Sequence, residues 1–123
     1  MREWFEEKVI SVGAPARERL LMVFDALGKW FASDEFHGCG FINAYAKLAD
    51  LNHPARAVVL EQKRWLRYYL AELVREAGAE DPENMAERLL ILHEGATVAE
   101  SMGTANGSVR KAREIAAGLT SGL

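Results

Sequence analysis

Between Asp81 and Gly103 the chain reads DPENMAERLLILHEGATVAESMG, a run that is apolar over most of a helical circumference. Met85, Leu89, Leu92, Ala96 and Ala99 line one face, while Ile91, Gly95, Val98 and Met102 line another. A helix that is apolar nearly all round has to be covered on two sides. A chain of 123 residues offers it one core. The second cover is therefore expected from a second subunit, and a homodimer is the simplest closed arrangement. Asp81 as N-cap and Pro82 at the first helical position mark where this helix begins.

Helical spacing runs through the rest of the sequence, and no stretch sustains the period-two pattern of a strand. In APARERLLMVFDALGKWFAS, Leu20, Phe24, Leu27 and Phe31 form a stripe that Val23 and Trp30 widen. Residues 53–77 give a long helix opened by Pro54 and ended by Gly78, with Val59, Leu66, Leu70, Leu73 and Ala77 on one seam and Val58, Trp65 and Tyr69 on the next. Residues 106–119 place Val109, Ala112, Ile115, Ala116 and Leu119 inward. FINAYAKLA makes one short helix, and residues 1–12 read as the end of a helix that Gly13 terminates. The expectation is an all-α bundle of about five helices, with residues 13–123 as its body and no internal repeat.

Charge narrows the function classes. Residues 1–60 carry seven basic and eight acidic side chains, and residues 61–123 carry eight and ten, so neither half has the basic excess of a free-standing nucleic-acid binder. One cysteine excludes an intramolecular disulfide framework and fits a reducing, cytoplasmic setting. No apolar run reaches the roughly 18 residues of a membrane span.

Chemistry-bearing residues are few. Cys39 lies two residues from His37 and between Gly38 and Gly40, where flanking glycines favour a tight turn over an activated thiol. His37, His53 and His93 are widely separated, and the lone Cys39 has no partner at zinc-site spacing, so no metal or cofactor is expected. Lys63, Arg64 and Arg67 form a local basic patch that Glu61, Glu72 and Glu76 offset, and GCG and GTANG lack the strand-loop-helix setting of a phosphate loop. Catalysis has no positive evidence, and the chain is expected not to be an enzyme. WLRYYL places Trp65 and Tyr69 one turn apart with Tyr68 alongside, and His93-Glu94 interrupts an apolar run. Such aromatics, with their indole and hydroxyl donors, suit either a core or an apolar pocket with a few polar handles.

The order DALGKWFAS, GCGFINAYAKLAD, HPARAVV and LLILHEGATVAESMG, spanning about residues 4–119, resembles the C-terminal domain of TetR-family transcriptional regulators. Gly38-Cys39-Gly40-Phe41-Ile42-Asn43-Ala44 is similar to the branch whose signature reads Gly-Cys-x-Phe-Ile-Asn-Ala, with Gly40 departing from the Pro or other residue common there. The resemblance implies a ligand-sensing and dimerising domain, reached through a connecting helix from a helix-turn-helix head that binds operator DNA. Residues 1–12 match the end of that connecting helix, so the head is expected to be missing, by truncation or by natural absence. The last two long helices would pair with their copies in a four-helix bundle, through Leu92, Gly95, Ala96, Val98, Ala99, Met102, Val109, Ala112 and Ala116.

On the same footing, Phe41 and Asn43 are expected to line the effector pocket. Helical-face reasoning adds Phe24, Leu27, Trp65, Tyr68, Tyr69 and His93. The effector would be small and mostly apolar. Two other readings stay open: a headless modulator that heterodimerises with full-length repressors, and a small helical enzyme using Cys39 with His37 or His93.

Overall fold

The computed structural model describes residues 15–32 and 54–123. Over these residues the chain is all-α, with four helices and no strand: α1 (Ala16–Ala32), α2 (Pro54–Glu76), α3 (Pro82–Met102) and α4 (Ser108–Leu119). Residues 1–12 and the short helix expected after Gly40 lie outside the described residues.

Local chemistry sets each boundary. α2 ends in a Schellman motif: the Gly78 amide donates to the Arg75 carbonyl at 3.0 Å and the Ala79 amide to the Val74 carbonyl at 2.9 Å. Gly78 takes φ of +100° to make this turn, a conformation that a side chain would strain. Three residues on, the Asp81 carboxylate accepts from the Asn84 amide at 3.2 Å and caps α3, with Pro82 in its first turn. The short connection makes α2 and α3 neighbours, as expected for helices joined this tightly.

The helices form a ring in which α1 packs on α2 and α4, and α3 packs on the same two. Its centre is filled by Leu20, Val23, Phe24 and Leu27 of α1, Leu66, Leu70, Leu73 and Val74 of α2, Ala86, Leu89 and Ala96 of α3, and Ala112 and Ala116 of α4. The small residues of α3 and α4 let these backbones approach closely. α4 differs from the sequence expectation: Ala112 and Ala116 are buried, but Ile115 is 52% exposed and Leu119 is also exposed. A helix of 12 residues seated on two alanines buries only a narrow stripe, and both larger side chains fall to one flank of it.

The ring is closed by a long-range clasp. Arg17, in the first turn of α1, donates from Nε to the Thr120 carbonyl at 3.0 Å and from Nη2 to the Ala117 carbonyl at 3.1 Å. These are carbonyls at the C-terminal end of α4, where helix carbonyls lose their intrahelical partners and a cation is electrostatically favoured; the Thr120 carbonyl also accepts from the Leu123 amide at 3.0 Å.

Candidate functional site

α3 presents two different surfaces. Its inner face buries Ala86, Leu89, His93, Ala96 and Thr97 against the rest of the ring. His93 is fully buried, and its ring stands edge-on to Phe24 with centroids 5.9 Å apart and planes at 61°. Burial in this apolar setting pulls the imidazole pKa down to about 3, and the positive charge of Lys63 on α2 pushes the same way. Lys63 itself is lowered by burial, with Glu94 acting in opposition. His93 is therefore a neutral imidazole near pH 7. Thr97 donates its hydroxyl to the His93 carbonyl at 2.7 Å, which satisfies the second buried polar group of this face.

Beside this centre, Trp65 and Tyr69 of α2 stack with centroids 5.5 Å apart and planes at 8°. Both are half-buried. Burial raises the Tyr69 hydroxyl pKa, and the nearby Arg19 guanidinium opposes that rise. Arg19 is anchored in turn by Glu76, whose two carboxylate oxygens lie 2.9 and 3.0 Å from Nη2.

Of the residues expected to line a pocket, Phe24, Leu27 and His93 thus belong to the buried centre, and Trp65 and Tyr69 form a stacked pair at its margin. Tyr68 is 65% exposed on the outside of α2. Phe41 and Asn43 lie outside the described residues. No group of three His, Cys, Asp or Glu side chains suited to a metal ion occurs among the described residues.

The outer face of α3 carries Ile91, 68% exposed, Met102, 62% exposed, and the exposed Gly95 and Val98. A Cβ built on Gly95 meets nothing within 4 Å. Within the expected pairing set, Gly95, Val98 and Met102 lie on this exposed face, and Leu92, Ala99 and Val109 are half-buried. Ala96, Ala112 and Ala116 are buried inside the single chain. The set omitted Ile91, Ile115 and Leu119, three exposed large apolar side chains. Spacing offered a signal for the first, because Ile91, Gly95, Val98 and Met102 recur at intervals of 4, 3 and 4.

The chain is distantly similar to proteins described as transcriptional regulators. Over 92 residues, 75% of this chain, it is 25% identical to the HTH-type transcriptional regulator YjdC of Escherichia coli (strain K12). The same identity over the same length relates it to the YjdC regulator of Shigella flexneri. The chain spans about half the length of these relatives, 48% in each case. No family model matches the chain, and no solved structure does. At this distance, and over this share of the relatives, the likeness carries no assignment of family or activity by itself. Among the described residues no helix is long and apolar enough to cross a membrane.

Proposed function

We propose that this chain is the effector-sensing and self-pairing part of a TetR-like transcriptional regulator, acting in the cytoplasm by binding rather than catalysis. The observation that carries the reading is the outer face of α3. Ile91, Gly95, Val98 and Met102 make an apolar stripe with no cover among the described residues, and Ile115 and Leu119 are exposed apolar side chains on α4, which packs against α3. Two copies meeting through α3 and α4 would bury these side chains, with Gly95 admitting the partner's backbone. In this reading operator DNA is contacted through a helix-turn-helix to which this domain is coupled.

The effector, small and mostly apolar, sits toward Phe24, His93, Trp65 and Tyr69; Phe41 and Asn43, which the family resemblance adds to the site, lie outside the described residues. Neutral His93 and the Tyr69 hydroxyl supply its polar handles. The effector acts by favouring one of two arrangements of the paired domains, and its leverage is limited to its difference in affinity for the two.

Sedimentation velocity tests the pairing. The wild-type chain should be a dimer at low micromolar concentration. Ile91→Glu combined with Met102→Glu should be a folded monomer, since both side chains are exposed. A wild-type chain that stays monomeric at tens of micromolar, or a doubly charged variant that still pairs, would remove this face from the reading.

A further inference from the structure

Away from the α3 surface, α1 and α4 enclose an open groove of about 620 Å³, lined by Phe24, Gly28 and Val109 at its base and by Asp25, Lys29, Arg110 and Arg113 at its rim. That volume is in the range of small-molecule sites, roughly 300–1,000 Å³. Gly28 contributes no side chain, and a Cβ there would already touch Val109 Cγ1 at 3.6 Å, so the base is shaped by a residue that leaves it open.

The rim charges are unbalanced. Arg113 Nε lies 2.9 Å from Asp25 Oδ1 across the two helices, a half-exposed ion pair without the geometry of a hydrogen bond that offsets one positive charge with one negative. Lys29 and Arg110 make no ion pair among the described residues, so two positive charges remain over an apolar base. The Arg110 guanidinium folds back over Gly107, where a Cβ would stand 3.1 Å from Nη2. Gly107 is the N-cap of α4 and offers no side-chain cap, so the positive end of that helix adds to the same corner. The carboxylate nearest this helix start in the hydrogen-bonding pattern is Glu100, whose Oε2 accepts from the Ser108 hydroxyl at 2.9 Å. At 100° per residue Ser108 lies on the flank of α4 away from Arg110 and Arg113.

The geometry points to this groove as a binding site for a small amphiphilic carboxylate, with its ring or short alkyl body on Phe24, Gly28 and Val109 and its anionic head between Lys29 and Arg110. A dication is disfavoured because the one rim carboxylate, Asp25, is held by Arg113. A neutral apolar ligand would leave the two cations without a counter-charge. The site is independent of pairing: Ile115 and Leu119 lie on the opposite flank of α4, so a partner covering them leaves the groove open.

The test uses 2-naphthoate and its neutral counterpart 2-naphthamide, titrated into the isotope-labelled full chain and followed by amide chemical shifts. Naphthoate should perturb Gly28, Lys29, Val109 and Arg110, and should bind at least about tenfold more tightly than the amide, the size of effect expected for a charge-assisted contact. Lys29→Glu with Arg110→Glu should abolish that preference, with an unchanged circular dichroism spectrum because both side chains are exposed. Equal binding of the two compounds overturns the proposal. So does a preference that survives the charge reversal, the absence of shifts at low millimolar naphthoate, or shifts centred on Trp65, Tyr69 and His93. The last outcome would instead support the effector pocket of the proposed function, and the pairing experiment is unaffected by any of them.

Discussion

The two faces of α3 reverse the usual relation between polarity and burial. The inner face, wholly buried, includes His93 and Thr97 among its five residues. The outer face, largely exposed, offers Ile91, Gly95, Val98 and Met102 and no polar group within that stripe. Large apolar side chains are ordinarily the first to be buried, and polar ones stay wet unless they are satisfied. The contrast shows that the more hydrophobic face of a helix need not be the one its own chain covers. The outer stripe is the surface that the proposed pairing would cover, and the inner one is a place where polarity has been admitted into the core.

The comparison breaks most severely if the inner face proves dispensable. Leu89→Ala removes a fully buried side chain and should cost about 2–5 kcal/mol in urea unfolding, whereas Ile91→Ala on the outer face should cost well under 1 kcal/mol in the monomer. Similar losses at the two positions would mean that the outer stripe is also core.

A second test exploits the buried imidazole. The folded pKa of about 3 lies below the ordinary 6.5, so protons bind the unfolded chain preferentially as pH falls through that window. Stability contributed by neutral His93 is complete above pH 6.5 and declines below it, by about 1.4 kcal/mol per pH unit once well under 6.5 and still above the folded value. Urea midpoints measured from pH 7 to 5, where most carboxylates remain ionised, should fall in the wild type and fall less in His93→Leu. Parallel profiles would mean that the imidazole meets solvent.

The smallest effect sharpens the outer face. Gly95→Ala places a methyl group in open space and should raise the stability of the dilute, monomeric chain by about 0.5–1 kcal/mol, because glycine is a poor helix former. If a partner helix crosses there, the same methyl should weaken self-association in sedimentation experiments. Stabilisation together with unchanged pairing would move the crossing point elsewhere along α3.

Most of the helical framework is legible in the sequence because its punctuation is local. Pro54, Gly78, Asp81 and Pro82 set three helix boundaries within a residue or two, and the spacing of Leu20, Phe24 and Leu27 identifies the buried stripe of α1. The site is less legible, for a physical reason. Ala96, Ala112 and Ala116 have the small side chains that close helix packing requires, and that requirement is the same within a chain as between chains. Periodicity reports that a face is apolar without reporting what covers it, so those alanines read as an intersubunit contact although their own chain buries them. Ala96→Arg would consequently report on folding rather than on pairing. Tyr68 reads with its neighbours Trp65 and Tyr69, yet one residue's rotation turns it to the outside of α2.

The Arg17 clasp has a mechanical consequence. By holding the Ala117 and Thr120 carbonyls, this one guanidinium ties the first turn of α1 to the last turn of α4, 100 and 103 positions further along the chain. A displacement imposed at Pro15 therefore has a polar route to the end of α4, beside the direct packing of the two helices and bypassing α2 and α3. Arg17→Met would remove this tie and leave the direct packing of α1 on α4 to link the opening of the first described helix and the close of the last.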